Sequence, residues 1–288
     1  MEVVTREIRH SEYGKQYKIT FLGDIHYGGK DCDVGLLRSS IAKIAEDENH
    51  YWVGMGDYCE LITHRDPRFD PAELDQGTPI GQLNRLASRQ TNEVGEILKP
   101  IKSRCLGLVE GNHEAMLELR QGIDSYYPLC DMMQYSTWEL ALGYSAIIKV
   151  RFINETDEGN RSGSHSLKIY VHHGAGGGRK KGAKVNRVQD LAMSFPDCQI
   201  YCMGHVHDRI AFIDAALDSK EQKDELKDMP RAFGVTGTYK KTYLQGGRGY
   251  GERAQYPPTS LGCITFTIDL HQRNYDIGCY TSTSGLPL

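Results

Sequence analysis

Five short polar clusters carry the chemistry of this sequence. They are Gly23-Asp24-Ile25-His26, Gly56-Asp57, Gly111-Asn112-His113-Glu114, His172-His173-Gly174 and Gly204-His205-Val206-His207. Aspartate, histidine and asparagine offer the oxygen and nitrogen atoms that bind hard or borderline divalent metals. Six of the 11 histidines lie in these clusters, a concentration that singles them out. Asp24, His26, Asp57, Asn112, one of His172 and His173, His205 and His207 make seven donors. A single transition-metal ion takes at most about six. Seven donors with a carboxylate able to bridge suit two adjacent ions, ~3.5–4 Å apart in two-metal hydrolases. The set has imidazole, carboxylate and amide but no thiolate. It points to Mn²⁺ first, with Fe, Zn²⁺, Co²⁺ or Ni²⁺ as alternatives, rather than to Ca²⁺ or structural zinc. Taken singly, each cluster has a plainer reading: Asp-x-His can cap a helix, and Gly-Asp is an ordinary turn. Their joint occurrence, each behind a strand, favours the metal.

The elements that must position these donors are legible too. Tyr17–Leu22 leads to Asp24, Tyr51–Met55 to Asp57, Cys105–Val109 to Asn112, Leu167–Val171 to His172, and Gln199–Met203 to His205. Each run is apolar and of strand length. Glycine at four of the five exits fits a sharp turn out of a sheet. Strand ends along one edge of an α/β sheet face a common crevice, so donors distant in sequence converge there. Val34, Leu37, Ile41, Ile44 and Ala45 have helical spacing behind a candidate N-cap at Asp33. A β-α-β unit with parallel strands is therefore expected at the start of the sheet. Leu83–Leu98 reads as a second helix, ended by Pro100. Later runs, at 144–153, 231–238, 261–270 and 275–280, suggest antiparallel pairing in a second sheet. The expected class is α/β, a sandwich of two sheets with flanking helices.

Residues 1–288 read as one domain with two insertions. The first, at about 58–81, is rich in proline and charge, like a loop at the rim of a site. The second, at about 214–230, is highly charged and reads as a solvated helix or loose insertion.

Bulk properties narrow the function. The net charge of −4 gives no global attraction to nucleic acid, so any polyanion site must be a local patch. No apolar run is long enough to cross a bilayer, and the charged N-terminus lacks a signal-peptide core. Eight cysteines without a C-x-x-C pair suit reduced thiols and a cytoplasmic protein.

In this order the clusters resemble those of the calcineurin-like metallophosphoesterase superfamily. Its pattern is Asp-x-His, Gly-Asp, Gly-Asn-His-(Asp/Glu), a lone His after a strand, and Gly-His-x-His. The likeness runs from about residue 18 to 208. It implies a four-layer αββα sandwich of two mixed β-sheets flanked by helices. It also implies that Asp24, His26 and His207 hold one metal, that Asp57 bridges, and that Asn112, a strand-end histidine and His205 hold the second. The family ligand often sits directly at the strand end, which favours His172; alignment on Gly174 would favour His173. His113 would face the phosphate and protonate the leaving oxygen, a task suited to imidazole near neutral pH. Glu114 would orient the loop or simply complement the start of a helix.

The resemblance implies a phosphate ester as substrate. After the strand-end histidines, a glycine run leads into Arg179, Lys180, Lys181, Lys184 and Arg187, which could track a nucleic-acid backbone or could be a solvated loop. Arg179 and Lys180 are the expected substrate contacts. A second basic and aromatic cluster spans Lys240–Tyr243 and Arg248–Arg253; it could stack bases or be a surface hairpin. The first motif resembles that of double-strand-break repair nucleases and their bacterial exonuclease relatives. The second, Gly56-Asp57-Tyr58-Cys59-Glu60, departs from the Gly-Asp-x-Val-Asp-Arg-Gly of protein Ser/Thr phosphatases. A metal-dependent phosphodiesterase is therefore expected, with a DNA nuclease as its specific form. The alternatives are a phosphomonoesterase or small-nucleotide phosphatase, and a non-catalytic scaffold.

Overall fold

The computed structural model describes residues 1–74, 79–155, 164–219, 226–246 and 250–281. The chain opens with β1 (Glu2–His10), β2 (Gln16–Leu22), α1 (Val34–Glu46) and β3 (His50–Gly54). Then come α2 (Leu86–Leu98), β4 (Cys105–Leu108), α3 (Asn112–Gln121) and α4 (Tyr126–Met133). Next are β5 (Ser145–Asn154), β6 (His165–His172), α5 (Lys181–Ser194), β7 (Ile200–Met203) and β8 (Arg209–Asp214). The remaining strands are β9 (Leu217–Ser219), β10 (Leu226–Asp228), β11 (Arg231–Thr236), β12 (Ile264–Leu270) and β13 (Tyr275–Tyr280).

Two mixed sheets form, ordered β1-β5-β6-β7-β11-β8 and β13-β12-β2-β3-β4. In the second, β2, β3 and β4 run parallel, which carries the first three polar clusters to one edge. In the first, β6, β7 and β11 run parallel and deliver the last two. Side chains on a strand alternate between faces. Along β5, Ala146, Ile148, Val150 and Phe152 therefore point into the space between the sheets, where they meet Phe21, Val53 and Leu106. Trp52, on the opposite face of its sheet, packs with Leu37, Ile41, Val94 and Leu129 from the helices. On the far side, Val188 and Ala192 of α5 cover Tyr170, Tyr201 and Phe233. The layers are helix, sheet, sheet, helix.

Helix α1 forms for the reasons its sequence shows. The Asp33 carboxylate accepts the Leu36 N–H at 2.9 Å, and Leu37, Ile41 and Ile44 are buried along one stripe. Burying each of these large side chains contributes roughly 1.5–3 kcal/mol.

Three expectations need correction: the grouping of the later strands, the form of the second insertion and the start of the second helix. The later strands do not make a sheet of their own. The β12–β13 hairpin joins β2 antiparallel in one sheet; β5 and β11 go to the other. The charged Glu2–His10 segment is a strand parallel to β5, because its alternate residues Arg6, Ile8 and His10 face inward. In the second insertion, the described residues form an antiparallel ribbon of β9 and β10 rather than a helix; 220–225 lie outside the described residues. Helix α2 starts at Leu86, after a 3₁₀ turn over Ile80–Arg85. Among the described residues, no helix is long and apolar enough to cross a membrane. Among the described residues, no cysteine is in a disulfide.

One buried histidine ties the second sheet together and makes its stability depend on pH. His50 lies beside Thr20, whose hydroxyl is 2.7 Å from its Nε2. Burial, helped by Lys18, holds this imidazole down to about 4. The folded state thus binds its proton later than the unfolded chain. This stability is intact above about 6.5 and is lost as pH falls towards 4, on the order of 3 kcal/mol in all. Melting of the metal-free protein across that window should fall more steeply for wild type than for His50→Gln. Equal slopes would remove His50 from the explanation.

Candidate metal centre

The two sheets place five polar turns against one another, and the backbone bends sharply to do so. Asp24, His26, Asp57, His205 and His207 all adopt positive φ, between 48° and 71°. Residues other than glycine are rarely held there, and such strain of ~1–3 kcal/mol each clusters at functional sites. The turns are also very close. A side chain at Gly111 would strike the Asp57 backbone nitrogen, and one at Gly56 would meet His173. Glycine is required at both positions for the loops to touch.

Three groups of donors result; the two built from expected donors share Asp57, and the third joins His26, Glu60 and His113. Asp24, His26, Asp57 and His207 present atoms within 4.8 Å of one another; so do Asp57, His173 and His205. In the first group, His26 Nε2 lies 3.0 Å from His207 Nε2 and 3.8 Å from Asp57 Oδ2. His207 Nε2 is 3.3 Å from Asp24 Oδ1. In the second, Asn112 Oδ1 lies 2.7 Å from His205 Nδ1 and 3.1 Å from His173 Nε2, which is 3.5 Å from Asp57 Oδ2. His113 stands between the groups. Its backbone N–H donates to Asp57 Oδ1 at 2.9 Å, and its ring packs edge-on against His26, centroids 4.7 Å apart.

These donors fit cations. His26 has its Nδ1 on the Glu60 carboxylate, and His173 donates its Nδ1–H to the Met55 carbonyl at 2.7 Å. Both rings therefore turn Nε2 inward, the atom that carries the lone pair once the ring is neutral. The Asn112 amide has two settings. Turned one way, its NH₂ donates to His205, His173 and Asp57. Turned the other way, its oxygen lies beside both ring nitrogens, an arrangement that a cation held by all three atoms would satisfy.

The charges agree. Asp24 and Asp57 are fully buried, which by itself raises a carboxyl. The surrounding imidazoles outweigh burial, so Asp24 is lowered and Asp57 lies well below its ordinary value. Burial lowers His173, but Asp57 and Asp24 push it up to about 10. Two buried carboxylates thus require positive charge beside them. His26 behaves in the opposite way: burial holds it down to about 4, so it stays a neutral donor.

A family model for calcineurin-like phosphoesterases matches residues 17–209. The chain belongs to the calcineurin-like phosphoesterase family. Solved structures similar to it include vacuolar protein sorting 29 from Cryptosporidium parvum, 14% identical, with a TM-score of 0.37 over 92% of this chain and 97% of that one. A Vps29 double mutant from Entamoeba histolytica is 12% identical, with a TM-score of 0.34 over 91% and 98%. No curated protein sequence matches the chain.

Six of the seven expected donors converge and one does not. His173, not His172, reaches the second group. Alternation along β6 turns His172 the other way, where its Nδ1 accepts the Gly174 N–H at 2.7 Å. The choice made from the strand end is corrected in favour of the alignment on Gly174. Glu114 does orient the loops. Its carboxylate accepts N–H groups from Asp57 at 2.9 Å, Tyr58 at 2.9 Å and Gly111 at 3.1 Å, binding the second and third clusters together.

The basic loop is partly structural. Lys184 is buried against Asp208 at 3.2 Å, and Arg187 donates to the carbonyls of Ala175 and Gly177. Arg179 lies outside both donor groups, over the Tyr256 ring at 5.7 Å; Lys180 is exposed at the start of α5. In the second basic cluster, Lys240 and Lys241 are turned onto Glu60 and Asp33. Residues 247–249 lie outside the described residues.

The sequence reading missed Glu60 and Lys240 as parts of the site. Glu60 stood in plain view three residues after Asp57. Lys240 is 180 positions from its partner and carries no local signal.

Proposed function

We propose that this protein is a metal-dependent phosphoesterase that hydrolyses phosphodiester bonds, with nucleic acid as its substrate class. Asp57, shared by two donor groups and holding the backbone of His113, carries this reading. Asp24, His26, Asp57 and His207 would hold one divalent cation, and Asp57, Asn112, His173 and His205 the other; the donor set suits Mn²⁺. Bound there, two cations would offset the charge of the phosphate and lower the pKa of a water towards neutrality.

The remaining roles belong to the chain. The Glu60 carbonyl accepts from His113 Nδ1, so Nε2 is the atom presented to substrate. From there it donates a proton to the leaving oxygen as the phosphorus–oxygen bond breaks. Arg179 and Lys180 offer positive charge to phosphates flanking the scissile one.

The test is hydrolysis with Mn²⁺ of bis-p-nitrophenyl phosphate, p-nitrophenyl phosphate and single-stranded DNA. Turnover of the diester and of DNA is expected. Turnover of the monoester alone would replace this reading with a phosphomonoesterase. No turnover, together with less than one Mn²⁺ per chain, would favour a scaffold.

A further inference from the structure

One ion-paired cluster borders the donor groups and lies outside the seven donors. Glu60 follows the second polar turn; Lys240 follows β11. The Lys240 ammonium lies 2.7 Å from both Glu60 oxygens and 3.8 Å from Asp31 Oδ2. Glu60 Oε2 lies 2.9 Å from His26 Nδ1. The glutamate side chain is 12% exposed and that of His26 3%. A surface ion pair contributes little. A pair this sheltered, with one carboxylate oxygen also committed to an imidazole, holds its geometry.

We propose that Glu60, clamped by Lys240, is the positioning residue that fixes His26 as a metal donor. The inference rests on the two-cation reading above. A carboxylate accepts, so the proton between them sits on Nδ1 and the lone pair on Nε2. Without Glu60 the proton could move to Nε2, the atom that faces His207, Asp57 and any cation. A carboxylate on the far nitrogen also makes an imidazole a stronger donor. The same residue acts on His113 through its backbone, because its carbonyl accepts from His113 Nδ1. One residue thus orients both rings, His26 by its side chain and His113 by its main chain. Only the first is open to substitution.

That asymmetry gives a selective test. Mn²⁺ binding is measured by calorimetry on wild type, Glu60→Ala, Glu60→Gln and Lys240→Met. The His26 tautomer is read in the metal-free proteins from long-range ¹H–¹⁵N correlations. Glu60→Ala should weaken one of two Mn²⁺ sites by about 10–100-fold, the usual loss for such a partner, and leave the other within about threefold. Glu60→Gln keeps an oxygen for Nδ1–H and should recover part of that loss. Lys240→Met should fall between them. In wild type the His26 proton should be on Nδ1; in Glu60→Ala it should spread to Nε2. Unchanged affinity and an unchanged tautomer in Glu60→Ala would overturn the proposal. If Glu60→Ala does not fold, Lys240→Met with both readouts at wild-type values would do the same. A wild-type protein that takes up no Mn²⁺ would end the two-cation reading, and the imidazole signals would still decide this one.

Discussion

Replacing His113 by alanine should cut turnover about 10²–10⁴-fold, the range for loss of a general acid, while Mn²⁺ content stays at two per chain. The separation follows from how His113 is held. Its main-chain N–H donates to Asp57 Oδ1, and alanine keeps that bond. The ring is fixed by the Glu60 carbonyl and packs edge-on against His26 without a hydrogen bond to it. Only the proton for the leaving oxygen is lost. The effect should therefore depend on the leaving group. p-Nitrophenolate departs with little protonation, so its ester should suffer less than DNA, whose leaving alkoxide needs the proton more. Metal analysis beside steady-state rates on both substrates checks this. Loss of both ions in the variant would mean that His113 holds the site together, and equal losses on the two substrates would remove its role as acid.

Asp57→Asn should empty both sites together. The carboxylate is 2% exposed and belongs to both donor groups. One oxygen accepts from His113; the other lies near His26 Nε2 and His173 Nε2. Asparagine preserves the volume and can still accept from His113. It brings no charge, and its NH₂ would face imidazole lone pairs or a cation. Affinity should fall at both sites by more than the ~10–100-fold lost with an outer-shell partner. A thermal-shift titration shows this directly. At 100 times its Kd, a ligand stabilises by about 2.7 kcal/mol, and Asp57→Asn should lose most of that response to Mn²⁺. If one site kept wild-type affinity, Asp57 would not be shared.

Much of this site was legible because its signals are local. A strand, a glycine turn and a donor follow one another within a few residues, so Asp24, His26, Asp57, Asn112, His205 and His207 could be named from sequence. His172 was the failure, and its cause is geometric. Two adjacent histidines on an extended segment face opposite ways, and which one turns inward depends on the register of β6 with β5 and β7. Sheet membership fails for the same reason. The β12–β13 hairpin has the pattern of any antiparallel pair, and nothing in it says that it joins β2, some 240 residues earlier in the chain. The basic residues show the limit most clearly. Lys184, Arg187, Lys240 and Lys241 read as free charge, and each is turned onto a protein partner: Asp208, two carbonyls, Glu60 and Asp33. Charge in sequence reports what a residue carries and not what it already neutralises.

A crystal of the protein grown with Mn²⁺, measured at the manganese absorption edge, tests the shared-carboxylate centre most directly. Two anomalous peaks should appear, one among Asp24, His26, Asp57 and His207, the other among Asp57, Asn112, His173 and His205, with His172 touching neither. A map without peaks between these side chains, or with one peak that Asp57 does not touch, would contradict it.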